Sequence, residues 1–271
     1  MTLADLFPRW YMSKSVLEPR RIRSSWKHFA GLHKLAPAKL TKEAVEKERD
    51  RLLKTLSPST VRRSLADIAV FAQWLVDNKH LKDLPTWKIP AETKPRQRWM
   101  TADEVRLLMQ TARREDVPIW VDQAIHLCLL TGQRIGAILG LKWSQVSNGI
   151  IDFNEGVHER CKKRGVIPVT ASIESILKEC EGHETFVLGK VSYADFLAQW
   201  HRVCGLCGIK DATPHTMRHS VATNLIARGT PILEVSRMLG HSSTAITEKS
   251  YAKFSPDFTR RASDRMSEML R

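Results

Sequence analysis

Three prolines, Pro85, Pro90 and Pro95, fall at even intervals between Leu81 and Met100. Each fixes its own φ, removes a backbone donor and biases the preceding residue away from helix. No long helix or central strand crosses such a stretch, so the chain is divided there. With 271 residues it is long enough to give each side its own core. The expected organisation is a helical unit over 1–90, a linker over 91–100 and a second unit over 101–271. Lys94, Arg96 and Arg98 make the linker basic, a composition suited to lying along a polyanion.

The first unit reads as helix. Thr2 can cap a helix with Leu3, Leu6, Phe7 and Trp10 on one face. A second runs from about Pro19 to Leu32, with Ile22, Trp26 and Phe29 apolar and Arg20, Arg21, Arg23 and Lys27 basic. A third follows the cap candidate Thr41. A fourth opens at Ser57-Pro58-Ser59-Thr60 and keeps the helical period through Leu65, Ile68, Phe71, Ala72 and Leu75. Together they predict a small bundle whose aromatic residues are core rather than platforms for bases.

The second unit predicts helices with one short β region. Thr101 and Glu104 form a capping box for a helix to about Ala112, and a buried helix from Ile119 ends at Thr131-Gly132, just before Arg134. Gly149–Phe153 reads as a strand, and a second passage near Val157–Glu159 leads into the basic turn Cys161–Gly165 and then Val166–Val169. A helix over Ser172–Cys180, a possible strand over Thr185–Leu188 and a helix over Tyr193–Cys207 follow. Pro214 starts a helix that Gly229 ends, Pro231 starts another that Gly240 stops, and a third from Ser243 carries Tyr251. Asp257–Arg271 reads as a final amphipathic helix. The fold class is mainly α with a small β-sheet.

Charge separates the two units. Lys and Arg number 43 against 29 Asp and Glu, a net of +14. Residues 1–100 hold 21 basic and 10 acidic side chains, whereas the remaining 171 hold 22 and 19. The first unit is therefore expected to grip a polyanion, and nucleic acid suits it better than a membrane surface because no basic amphipathic anchor stands out. Candidates for phosphate contact are Arg20, Arg21, Arg23 and Lys27, then Ser59, Thr60, Arg62 and Arg63 at a helix start, then Lys94, Arg96 and Arg98. No apolar run approaches a membrane span, and the N-terminus lacks the order of a secretory signal. Five cysteines without framework spacing suggest reduced thiols in a cytoplasmic protein, and Cys204-x-x-Cys207 lacks a second pair for zinc. No cluster of acidic residues suited to Mg²⁺ lies near the basic motifs, and no Gly-rich nucleotide loop is present, so neither metal nor other cofactor is expected.

Over about forty residues near the end lie His215-Thr216-Met217-Arg218-His219, Leu239-Gly240-His241 and Tyr251. Displacement at a phosphodiester needs a nucleophile, cations on the phosphoryl oxygens, a base and an acid for the leaving oxygen. A phenol, two arginines, imidazoles and a lysine supply these without metal. Taken singly, each histidine reads as structural, Tyr251 as packing and Arg134 as a salt bridge. Their order is the informative feature.

That order resembles the tyrosine recombinases, or phage integrases, over nearly the whole chain. Thr131-Gly132-Gln133-Arg134 with Leu141-x-Trp143 is similar to the context of the family's first arginine. His215-x-x-Arg218 and Leu239-Gly240-His241 match its other motifs, and Tyr251 stands where its nucleophile does. The resemblance implies a SAM-like helical core-binding domain, a mixed α/β catalytic domain, and a clamp on duplex DNA at specific sites. It also implies a homotetramer that exchanges strands through a Holliday junction, possible accessory factors, and a C-terminal helix that docks on a neighbouring subunit. Tyr251 would form a 3′-phosphotyrosine link, Arg134 and Arg218 would hold the phosphate, and His215 and His241 would act as base or phosphate ligands, with His219 supporting. Lys162 would be the general acid, with Lys163 the alternative. The family usually carries an acid three residues after its first arginine, where this chain has Ala137. The rival expectations are a type IB topoisomerase-like nicking and closing enzyme and a non-catalytic helix-turn-helix protein.

Overall fold

The computed structural model describes residues 1–13, 19–91, 98–157, 163–241, 243–251 and 266–269, with backbone alone at 19, 246 and 249–251. The chain divides into two compact units, Met1–Arg96 and Gln97–Arg271.

The first unit comprises α1 (Leu3–Ser13), α2 (Pro19–His28), α3 (Lys42–Leu53) and α4 (Pro58–Asp77), with short 3₁₀ turns at Ala30–Leu32 and Pro37–Lys39. The second helix is thus shorter than its pattern suggests, because the chain tightens into the 3₁₀ turn after His28. Thr41 caps α3, and Ser57 caps α4 through the Thr60 amide. Apolar stripes converge on a core in which Phe7 stacks on Trp26 at 4.3 Å and Phe71 meets both rings edge-on. Trp10, Phe29 and Phe71 are buried, so these rings are core.

Polar bonds fix α2 along α4. Arg21 donates to both carboxylate oxygens of Asp67, the longer contact being 2.7 Å. The Ser25 hydroxyl donates to the same carboxylate at 2.6 Å, and His28 Nδ1 lies 2.9 Å from the Ser64 hydroxyl. Arg21, expected to contact phosphate, is thus engaged by the Asp67 carboxylate through one guanidinium nitrogen, with its side chain 37% exposed. Arg20, Arg23 and Lys27 stay exposed on α2, as do Ser59, Arg62 and Arg63 on α4. Thr60 is partly covered and bonded to the Ser57 hydroxyl at 2.9 Å.

The second unit begins with α5 (Ala102–Ala112), α6 (Ile119–Thr131) and α7 (Ile135–Leu139). The Thr101–Glu104 capping box forms as its spacing predicts. Arg98 is committed to that box: it pairs with both carboxylate oxygens of Glu104 and is drawn away from the linker's expected polyanion role. Lys94 and Arg96 lie outside the described residues. Helix α6 is buried on nearly every side. Its interior carboxylate, Asp122, is paired with His126 at 2.9 Å and with Arg113 at 3.4 Å.

An antiparallel sheet follows, with β1 (Val146–Ser147), β2 (Ile150–Asp152) and β3 (Val166–Pro168) in that order. Ile151 faces Ile167 in the β2–β3 pair, and both side chains are buried. The expected second passage does not join the sheet at Val157, and 158–162 lie outside the described residues, Cys161 and Lys162 among them. The expected strand at Thr185–Leu188 is reduced to one bridge, Lys142 to Phe186, because the partner segment enters a 3₁₀ turn at Trp143. Then come α8 (Ala171–Glu179), α9 (Tyr193–Leu206), α10 (Pro214–Ala227), α11 (Ile232–Leu239) and α12 (Thr244–Tyr251). Of the expected final helix, only 266–269 are described, and they are helical.

Removing Arg21 leaves Asp67 buried with one hydroxyl partner. Arg21→Ala is expected to lower stability by about 1–2 kcal/mol, and Arg20→Ala to change it by less than about 0.5 kcal/mol. Urea denaturation followed by tryptophan fluorescence checks both.

Candidate active site

The sequence builds the site from helix ends. Gly132 closes α6 with φ +65°, a left-handed conformation that glycine adopts without strain. A Cβ there would also come within 3.0 Å of the Leu239 side chain. The turn delivers Arg134 as the N-cap of α7, with its carbonyl accepting from the Ala137 and Ile138 amides. Gly240 closes α11 in the same way, at φ +67°, and the His241 amide returns to the Ser236 carbonyl at 3.0 Å. Arg134 and His241 are thus the first side chains beyond two glycine-ended helices, Gln133 excepted.

Arg218, in the second turn of α10, joins these ends. It is buried, donating to the Gly132 carbonyl at 3.1 Å and the Leu239 carbonyl at 2.8 Å. Both acceptors lie at helix C-termini, where unpaired carbonyls carry partial negative charge. Three-residue spacing does not give His215 the same environment. His215 is exposed and meets the His219 ring edge-on at 4.6 Å.

Arg134 differs from Arg218 in its partners. It is partly buried, and among the described residues no carboxylate or carbonyl pairs with it. Burial presses its pKa down, and the neighbouring Arg164 guanidinium adds to this. The position of the family's usual acid, Ala137, is a buried methyl in α7. The guanidinium nevertheless stays protonated, so among the described residues its positive charge is uncompensated.

His241 sits within this field. Burial first, then Arg218, Arg134 and His219, push its pKa down to about 4. Burial and Arg218 lower His219 as well. His241 is therefore neutral at pH 7. Its Nδ1 lies 2.7 Å from the Thr247 hydroxyl, which orients the ring. Thr247 was not singled out in the sequence, although it precedes Tyr251 by one helical turn of α12. The Tyr251 side chain and Lys162 lie outside the described residues. Lys163 is exposed, on a cleft of about 820 Å³ that His241, Arg164 and Met238 also line. Arg134, Arg218, His219 and His241 are thus brought together, with His215 adjoining through His219. Among the described residues no group of His, Cys, Asp or Glu is placed to hold a metal.

Residues 98–257, which contain every one of these groups, match the phage integrase family. The chain belongs to that family. Its identity to tyrosine recombinase XerD of Halalkalibacterium halodurans is 28% over 210 residues, 70% of this chain and 69% of that protein. Identity to the integrase of Escherichia phage 186 is 26%, covering 78% of this chain and 61% of the phage protein. Among solved structures, a lambda integrase (75–356) dimer bound to a COC′ core site has a TM-score of 0.78 at 18% identity, covering 92% of this chain and 95% of that one. The Tn1549 transposon integrase (82–397) in complex with circular intermediate DNA gives 0.76 at 18%, covering 98% and 99%. At such identities the structural likeness is one of fold. It covers both units of this phage integrase family member, whereas the family match covers 98–257 alone.

A half-buried cation without a partner costs stability that function requires. In the DNA-free protein, Arg134→Met is expected to leave stability unchanged or raise it by up to about 1 kcal/mol, and to abolish the rise in thermal midpoint on adding sulfate. The pH dependence follows from His241, whose folded pKa of about 4 lies below its ordinary 6.5. Its contribution is present above the unfolded pKa and is lost as pH falls towards the folded one. His241→Gln should therefore flatten the decline in thermal midpoint between those two values, as calorimetry across that range would show.

Proposed function

We propose that this phage integrase family member is a site-specific DNA recombinase whose centre is the Arg134, Arg218, His241 cluster. The observation that carries this reading is the uncompensated charge at Arg134 beside a neutral imidazole: a site arranged in this way gains most from an anion that brings acceptor oxygens. A phosphodiester supplies two non-bridging oxygens. Arg134 donates to them with its free fork, and Arg218 adds charge from behind while its N–H groups hold the helix ends.

Tyr251 follows His241 by ten residues and stands at the family's nucleophile position. In the proposed step the Tyr251 phenol oxygen bonds to phosphorus as the bond from phosphorus to the 5′ oxygen breaks. The phenol proton passes to an imidazole, that of the neutral His241 or that of His215. The departing 5′ oxygen takes a proton from a hairpin lysine, Lys162 or Lys163. One phosphodiester is exchanged for another, the 3′-phosphotyrosine, so no external energy source or metal is needed. Attack by a second strand's 5′ hydroxyl reverses the step and joins new partners. Done pairwise in a tetramer, this passes through a Holliday junction.

The first unit supports the same reading as a DNA-gripping domain. Its exposed Arg20, Arg23 and Lys27 on α2 and Arg62 and Arg63 on α4 supply phosphate-neutralising charge. Cleavage needs access to chromosomal and mobile DNA, and the reading carries with it a location in the cytoplasm of a bacterial host. Among the described residues no helix is long and apolar enough to cross a membrane.

A duplex nicked next to the cleavage position loses its short leaving strand and traps the covalent intermediate. Wild-type protein is expected to form a denaturation-resistant DNA adduct, and Tyr251→Phe and Arg134→Ala to form none while still binding the duplex. Binding without an adduct in the wild type contradicts the proposal.

A further inference from the structure

Gln133 occupies the variable place between Gly132 and Arg134, and it is fully buried. Its amide oxygen accepts from the Gly165 amide at 3.2 Å, and its amide nitrogen donates to the Met238 carbonyl at 2.6 Å. Gly165 lies at the base of the hairpin, two residues after Lys163. Met238 lies in the last turn of α11, three residues before His241. One side chain therefore ties the turn bearing Arg134 to the element bearing the lysines and to the element bearing His241.

The backbones it joins are themselves in close approach. A Cβ on Gly165 would lie 2.2 Å from the Met238 carbonyl oxygen and 2.6 Å from the Gln133 amide nitrogen. A Cβ on Gly240 would lie 2.2 Å from the Arg164 carbonyl carbon. Glycine at both places lets the hairpin base pack directly on the end of α11. The joint presents a buried N–H on one side and a buried carbonyl on the other, and a primary amide of this length answers both. The Gln133 backbone carbonyl accepts from the Cys128 thiol at 3.2 Å, which holds the turn from the other side.

We propose that Gln133 is a positioning residue for strand transfer: by bracketing Gly165 and Met238 it sets the hairpin lysine and His241 relative to Arg134. The proposal rests on the recombinase reading, with a hairpin lysine as the acid. Arg218 also ties the Gly132 turn to α11, by donating to the Gly132 and Leu239 carbonyls. Loss of the Gln133 amide removes the bond that holds Gly165 to the Arg134 turn, and proton delivery to the 5′ oxygen should suffer before phosphate binding does.

A leaving-group substitution separates that effect from general damage. A 5′-bridging sulfur departs as a thiolate without needing an acid, because thiols are far more acidic than alcohols. Gln133→Met, which keeps the length and loses the amide, is expected to bind the duplex like wild type. It should cleave the ordinary phosphodiester at least about tenfold more slowly, with the ratio of sulfur to oxygen cleavage raised by a similar factor, as in Lys162→Ala or Lys163→Ala, whichever lysine is the acid. An unchanged ratio, or wild-type cleavage of both substrates, overturns the proposal.

Gln133→Glu gives an independent reading if the methionine variant folds poorly. Its carboxylate faces the Met238 carbonyl, and protonation restores a donor there. Oxygen-substrate cleavage relative to wild type should rise as pH falls, and a flat relative profile counts against the bracket. A wild-type chain that forms no adduct on either substrate overturns the recombinase reading and this proposal together. A wild-type adduct with an unchanged ratio overturns this proposal alone.

Discussion

In the proposed recombinase, positive charge has to be gathered, partly out of water, to receive a phosphate, and the packing around Arg134, Arg218 and His241 answers that constraint. Two arginines repel one another and disfavour a protonated histidine beside them, so the fold must force the three together. Arg218 is satisfied internally, by the carbonyl ends of α6 and α11. Those ends carry partial negative charge, which offsets the burial of one guanidinium without a carboxylate that would compete with substrate. Arg134 has no such relief among the described residues, and Ala137 supplies none. The site is thus asymmetric: one arginine is structural as well as cationic, and the other is left open.

Backbone packing makes that arrangement rigid. Left-handed glycines end α6 and α11, and Gly165 and Gly240 allow the hairpin to touch α11 where any side chain would hold it away. Gln133 and Arg218 then bond the touching pieces. Precision comes from a few short polar ties across helix ends, while the apolar core beneath, from Leu108 through Trp200, supplies the stability they draw on.

Much of this was legible in the sequence. The Thr101–Glu104 box, the glycine stops at Gly132 and Gly240, and the period of α4 fixed their elements because each acts through neighbours in the chain. Non-local competition was not legible. Arg21 and Arg98 look like their basic neighbours until Asp67 and Glu104 are seen to claim them. The segment at Thr185–Leu188 has strand composition but pairs only at Phe186, because its partner, around Lys142, leaves at once into a 3₁₀ turn. Gln133 and Thr247 carried no signal, since an amide or a hydroxyl acquires meaning only from the groups opposite it. Their places beside Arg134 and one turn before Tyr251 were the available hints.

His241 shares one electrostatic field with both arginines, and its own titration reports that field. Nuclear magnetic resonance of the labelled imidazole would follow it in free protein and in protein bound to duplex DNA. In the free protein His241 should titrate near its depressed value of about 4, and it should rise towards 6.5 when a phosphate compensates Arg134 and Arg218. An imidazole that titrates near 6.5 in both states would contradict a shared field at His241, Arg134 and Arg218.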